Sequence, residues 1–207
     1  MTVVLDETLL EGAVRLLAHH DVVLGGILER HGPPPLWGRQ PGFETIVRIV
    51  LEQQVSLDSA ASAFERLRGA AGAVEPGAVV LAGEERLRAA GLTRQKSRYI
   101  VGLAAEILAG RIDLASLEPM DDQAARARLM AVTGIGAWTA DIYLVMALRR
   151  PDVWPAGDLA LSAALRRAKE LPELPGREAQ LAITEAWRPW RAVAARLLWH
   201  AYLAGER

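Results

Sequence analysis

Apolar residues recur at three- and four-residue intervals along most of the chain, the period of helices with one buried face. Leu9, Leu10, Ala13, Val14 and Leu17 mark a first helix from Asp6 to Ala18. A second starts at Asp21, a good N-cap, and runs through Val22, Val23, Ile27 and Leu28 to Gly32. Pro33-Pro34-Pro35-Leu36-Trp37-Gly38 then breaks the pattern and reads as a surface connection. Phe43, Ile46, Val47, Val50 and Leu51 predict a helix over Phe43 to Leu51, running into Glu52-Gln53-Gln54-Val55-Ser56, and Asp58 to about Arg68 predicts another. Gly77 to Ala90 reads as a short turn and a helix ending at Gly91, and Leu92 to Arg98 opens a strongly periodic helix through Tyr99, Ile100, Leu103, Ala104, Ile107 and Leu108. Glu118-Pro119 ends a short segment, and Asp121 caps a helix from Asp122 to Val132. Further helices are predicted from near Ala137 and from Leu159 to Leu171. After Pro172 and Pro175-Gly176 comes a final helical pair carrying Trp187-Arg188-Pro189-Trp190-Arg191, Ala194, Leu197, Leu198, Trp199 and Tyr202. No segment reads as a strand, a tandem repeat or a low-complexity tract. The predicted fold is all-α.

At 207 residues the chain suffices for one large domain or two small lobes. A formal net charge of −1 provides no global basic field, so any nucleic-acid face must be a local patch. The absence of cysteine excludes disulfides, thiolate metal sites and cysteine-ligated iron–sulfur clusters within this chain. The first residues lack a basic stretch followed by an apolar one, and no apolar run is long enough to span a bilayer. The expectation is a soluble cytoplasmic protein with no membrane partner. His19, His20, His31 and His200 show no metal-ligand spacing and are read as structural.

Candidate chemistry gathers between Leu129 and Leu161, in LMAVTGIGAWTADIYLVMALRRPDVWPAGDLAL. Gly134 and Gly136 flank Ile135, so the backbone can turn tightly and come close to something outside. A turn that feeds a helix N-terminus collects unpaired N–H groups and favours an anion such as phosphate. Downstream, Pro155-Ala156-Gly157-Asp158 sets a carboxylate at the start of the next helix. Asp158 has two readings: an N-cap worth about 1 kcal/mol, or an acid held at a fixed offset from a phosphate grip for chemistry on a nucleic acid. The two roles need not compete. Gln53 and Gln54 read from composition as a solvated helix end. Arg94, Lys96 and Arg98 are either a solvated basic face or phosphate contacts. A Trp at helical spacing is core more often than pocket, and Asp141 reads as a solvated helix residue.

The hairpin, the Pro-Ala-Gly-Asp loop and the Trp-Arg-Pro-Trp segment together resemble the helix–hairpin–helix superfamily of DNA glycosylases. The likeness covers about Asp21 to the C-terminus and is greatest to the 3-methyladenine DNA glycosylase II type. It implies two helical lobes, one over about 43–148 and the other combining about 1–42 with 149–207. An active-site cleft would lie between them, and this chain would lack the N-terminal β-domain of longer members. The implied activity is monofunctional: an alkylated purine is flipped out of duplex DNA and its N-glycosidic bond hydrolysed, leaving an abasic site. The resemblance assigns Asp158 as the catalytic acid and Trp138, Trp187, Gln53, Ile142 and Leu159 as the base pocket, the last two replacing aromatic residues of the family. It assigns Gln54 as the wedge that fills the gap left by the flipped base. Thr133, Gly134, Ile135, Gly136, Thr139, Lys96 and Arg98 would touch DNA. Trp138 stands where bifunctional relatives carry a Schiff-base lysine, which implies no strand cleavage. Trp190 and Trp199 remain core residues in this reading. No carboxylate or imidazole cluster suggests a catalytic metal, though the resemblance allows Na+ or K+ at the Thr133–Gly136 carbonyls; the expected partner is alkylated double-stranded DNA at the nucleoid, and nothing requires more than a monomer. The alternatives from other classes are a non-catalytic helix–hairpin–helix module that binds DNA, or a helical scaffold without a nucleic-acid role. A glycosylase with another damaged-base preference is a third.

Overall fold

A computed structural model describes residues 3–205. These fold into eleven α-helices with two 3-10 turns, and no strand occurs among the described residues. In chain order the helices are α1 (Glu7–His20), α2 (Val22–His31), α3 (Phe43–Glu52), α4 (Leu57–Ala71), α5 (Pro76–Ala89) and α6 (Arg94–Leu108). They continue with α7 (Asp122–Met130), α8 (Ala137–Met146), α9 (Leu159–Ala168), α10 (Arg177–Thr184) and α11 (Arg191–Leu203). The predicted all-α fold is the observed one. None of the helices is long and apolar enough to cross a membrane.

Local chemistry sets most helix starts. Asp6, Asp21, Ser56, Thr93, Asp121 and Asp158 each accept a bond from a first-turn amide of the helix they precede, satisfying donors that no preceding turn can reach. With Ser56 as its cap, α4 starts at Leu57, one residue before the expected Asp58, which falls inside the first turn. Gly83, with φ 71° and ψ 169°, breaks α5 into two pieces. The Trp187–Arg191 segment, expected within a helix, instead holds the break before α11, which starts only at Arg191. A 3-10 turn ends at Trp187, and the Arg188–Pro189 peptide is cis.

The chain divides into two compact units. One comprises residues 39–143. Seven of the ten residues of α3 are buried there, including Ile46, Val47, Ile49 and Val50, against apolar residues of α4 and α6 such as Phe64 and Ile100. The other joins residues 3–38 to those from 144 onwards, where α11 packs on α1, α2 and α9. The division falls inside α8, between Tyr143 and Leu144, rather than at the expected 148. Hydrogen bonds explain its place. The Gly42 N–H donates to the Tyr143 hydroxyl at 2.9 Å, tying the early part of α8 to the start of α3. Past the division, Arg196 Nη2 donates to the Val145 carbonyl at 2.9 Å and Leu5 N–H donates to the Arg149 carbonyl at 2.8 Å.

Candidate functional site

In the unit of residues 39–143 the hairpin joins α7 to α8. Ile135 N–H donates to the Val132 carbonyl at 3.1 Å and closes the turn. Gly134 adopts φ +93°, and a Cβ built there would lie 2.2 Å from Cγ of Tyr99. Its lack of a side chain is thus required from inside, by a ring of α6. Gly136 differs. A Cβ there would meet nothing within 4 Å, and the residue is exposed. Thr133 is exposed as well, while the Ile135 side chain is buried beneath the turn. The first-turn amides of α8 follow directly, and such amides have no intrahelical carbonyl to bond.

Behind the hairpin lies a polar clasp. Gln53 Nε2 donates to Thr139 Oγ1 at 2.9 Å and to the Gly134 carbonyl at 3.3 Å. Gln53 therefore ties the end of α3 to the hairpin rather than reaching for a base, and Thr139, expected at DNA, is buried as its partner. Lys96 also departs from its expected role. Its Nζ donates to the carbonyls of Leu51 at 2.7 Å and Gln53 at 3.0 Å. A cation at the last carbonyls of α3 complements the negative end of that helix, and burial holds its pKa below the ordinary lysine value. Arg98, by contrast, is exposed. Gln54 is exposed with φ +58°, standing out at the turn after α3.

Asp141 is a correction of the same kind. Only 3% exposed, it accepts from Arg126 Nε at 2.6 Å and from Arg126 Nη2 at 3.3 Å, so a two-pronged ion pair links α7 to α8 across the hairpin. Trp138 is half-buried in the first turn of α8, and Ile142 is buried one turn on, which takes it out of an open pocket. Among the hairpin carbonyls, Gly136 already accepts from Ala140 N–H at 3.0 Å and Gly134 from Gln53. A monovalent cation at Thr133–Gly136 that used either of these two oxygens would share it with its present donor.

In the other unit Asp158 is half-buried at the head of α9. Its Oδ1 accepts from Leu161 N–H at 2.8 Å and from Trp199 Nε1 at 3.2 Å. The capping geometry predicted for it is present, and Trp199, read from sequence as plain core, turns out to touch it. A buried network supports the same helix start. Ser162 Oγ donates to the Asp158 carbonyl at 2.7 Å, and Gln180 Nε2 donates to Ser162 Oγ at 2.9 Å and to the Pro175 carbonyl at 2.8 Å. Trp154 Nε1 in turn donates to Gln180 Oε1 at 3.1 Å. No sequence signal pointed to Gln180, because two of its side-chain partners, Ser162 and Trp154, lie 18 and 26 residues away.

Trp187, expected in the base pocket, is 2% exposed. Its ring packs against Trp154 with centroids 5.8 Å apart, and its Nε1 donates to Asp21 Oδ2 at 2.8 Å. An indole enclosed in this way has no face to offer a base. Asp21 also accepts from Lys169 Nζ at 2.7 Å. Burial pushes its carboxyl upward, but the bonds from Lys169 and Trp187 outweigh burial and hold its pKa below the ordinary aspartate value. Leu159, directly after Asp158, is 77% exposed, open enough for contact with a ligand.

Residues 47–189 match the HhH-GPD superfamily of base excision DNA repair proteins. The match covers well over half of the chain and includes the hairpin, Asp158 and both flanking helices, so the chain belongs to this superfamily. It is similar to a DNA-3-methyladenine glycosylase of Bacillus subtilis, with 31% identity over 108 residues, 52% of this chain and 36% of that protein. DNA-3-methyladenine glycosylase 2 of Escherichia coli is 28% identical over 193 residues, 86% of this chain and 65% of its own length. The chain thus spans less than two thirds of either relative. Its fold matches the solved structure of Schizosaccharomyces pombe 3-methyladenine DNA glycosylase in complex with abasic DNA, with a TM-score of 0.82 and 25% identity, covering 95% of this chain and 98% of that one.

Proposed function

We propose that this chain is a monofunctional DNA-3-methyladenine glycosylase that releases alkylated purines from duplex DNA and leaves an abasic site. The observation that carries this reading is the held carboxylate of Asp158 at the head of α9, in a superfamily defined by base excision. An alkylated purine already bears positive charge and leaves readily, and positive charge then builds on the deoxyribose. A fixed carboxylate beside the sugar stabilises that charge and orients or deprotonates the attacking water. The exposed Gly136 and the first-turn amides of α8 serve as the grip on a backbone phosphate, since nothing in the fold requires a glycine there. Trp138 supplies a ring on which an electron-poor base stacks, Leu159 an exposed apolar contact, and Gln54 the projecting wedge. The enclosed Trp187 and Ile142 are left out of the pocket.

The absence of lyase chemistry is supported by the fate of the amines. Lys96 and Lys169 are the only lysines of the chain. Lys96 donates to two carbonyls at the end of α3, and Lys169 is paired with Asp21. Neither side chain is an uncommitted nucleophile of the kind a Schiff base requires. A monomer acting at the nucleoid completes the reading.

The test is to incubate the protein with methylated duplex DNA, separate the freed bases by chromatography, and treat a parallel sample with borohydride. The expected result is free 3-methyladenine, strands intact until alkali is added, and no covalent protein–DNA adduct. A trapped adduct would make the enzyme bifunctional. Binding without any base release would make the chain a DNA-binding module, with Asp158 only a helix cap.

A further inference from the structure

We propose that Arg88, Arg94 and Arg98 form a second contact with the DNA backbone, a track of cations on α5 and α6 that starts beside the hairpin and adds affinity the hairpin alone does not supply. The inference rests on the DNA-binding part of the reading above and extends it to another surface of the unit of residues 39–143. All three arginines are exposed. Arg88 and Arg94 line one open hollow together with Leu92, and Arg94 and Arg98 line the next together with Gln95, so Arg94 joins the two. Arg98 brings the track to the hairpin. Its guanidinium carbon lies 5.6 Å from the centre of the Tyr99 ring, and that ring is the one packed against Gly134. Gln95 Nε2 donates to the Tyr99 hydroxyl at 2.8 Å, which holds the polar end of the ring. Arg94 follows one helical turn back from Arg98, about 6 Å along the axis.

Uncommitted charge sets these three residues apart. Other exposed arginines of the same unit are paired with carboxylates, Arg48 with Glu44, Arg68 with Glu65 and Arg111 with Glu106. Among the described residues Arg88, Arg94 and Arg98 make no ion pair, although Glu84 and Glu85 share the rims of the hollows. Arg94 is moreover the first residue of α6, the positive end of that helix, where a cation opposes the helix dipole. The fold itself therefore gains nothing from this arrangement. A formal net charge of −1 leaves the protein without a general basic field, so attraction to a polyanion must come from a local group of cations. Guanidinium groups bind phosphate oxygens through paired N–H donors, and the phosphates of a duplex held at the hairpin are the nearest polyanion.

The experiment measures affinity for a duplex carrying an abasic site across a salt series, together with Tm, for wild type and three variants. The first is Arg88→Gln/Arg94→Gln/Arg98→Gln. The second, Arg48→Gln/Arg68→Gln/Arg111→Gln, removes the same charge from arginines that are already paired. The third is Glu84→Gln/Glu85→Gln. In the first variant affinity should fall by about tenfold or more, and the slope of log affinity against log salt should become shallower by about 0.9 for each contact removed. Its Tm should stay within about 1 °C of wild type, since exposed side chains without partners are replaced. The second variant should bind within twofold of wild type. Removing the two carboxylates should act in the opposite sense and tighten binding severalfold. A wild-type slope in the first variant, or an equal loss of affinity in the second, would overturn the inference and leave the track as solvated surface or a site for another partner. Wild-type protein that binds no duplex would overturn the DNA-binding reading itself, and this inference with it.

Discussion

Replacing Lys96 with Met separates the sequence's expectation from the observed geometry, because the two readings predict opposite phenotypes. As a phosphate contact, Lys96 would contribute to DNA affinity and its salt dependence, and little to stability. In the structure its ammonium closes α3 by donating to the Leu51 and Gln53 carbonyls. Hydrogen bonds from a charged donor contribute about 1.5–3 kcal/mol each, and a cation at a partly buried helix C-terminus up to about 2 kcal/mol. Burial opposes this, as the lowered pKa of the group records, and methionine recovers the apolar packing of the stem. The net loss should be about 2 kcal/mol. For a chain of this size that corresponds to a Tm lower by about 4–8 °C. The assay is thermal unfolding together with DNA affinity measured across a salt series. The slope of log affinity against log salt should match that of wild type. An unchanged Tm with a slope reduced by about 0.9, the signature of one lost phosphate contact, would refute the reasoning.

Further predictions concern the framework and the grip. Arg126→Ala leaves the buried Asp141 carboxylate without its two-pronged partner and should cost about 3 kcal/mol in urea unfolding, with faster amide exchange at the hairpin; unchanged unfolding would rule out the pair as the link between α7 and α8. Gly134→Ala should lower Tm sharply, because its Cβ would run into the Tyr99 ring at a strained φ. Gly136→Ala should leave Tm within about 1 °C yet weaken DNA binding severalfold; equal stability losses at the two glycines would contradict their assignment. Asp21→Asn tests a pH dependence. The folded pKa of Asp21 lies below its unfolded value, so its contribution is present above that unfolded value and lost as pH falls through the folded one. Wild type should therefore be more stable than the variant at pH 7, and the gap should narrow below about pH 4; a gap independent of pH would refute the linkage.

What was legible in the sequence was local. The caps at Asp21, Asp121 and Asp158 were readable because an N-cap acts within three residues of itself, and helical spacing marked the buried face of α3. The hairpin was readable as a turn, but the reason for Gly134 was not, since Tyr99 comes from α6. Destinations of long polar side chains escaped for the same cause. Lys96 sits 45 residues from Leu51, Trp187 sits 166 from Asp21, and Gln53 sits 86 from Thr139. Charge and periodicity describe such residues as surface or face, while only the packed chain decides which carbonyl or carboxylate they meet. Asp141 looked solvated because its partner Arg126 lies on the other side of the hairpin. Composition placed Trp199 in the core, where it is, but could not show that its polar edge meets the one carboxylate assigned to the chemistry.

The most direct test of the account is the Asp158→Asn variant, compared with wild type for release of a methylated base and for binding to the same duplex. Asparagine still caps α9 about as well as aspartate, so Tm should change little and DNA affinity should persist. Loss of a fixed charge opposite the developing positive sugar should slow base release by about a hundredfold or more. Release by the asparagine variant at the wild-type rate would contradict the account and leave Asp158 as a helix cap alone.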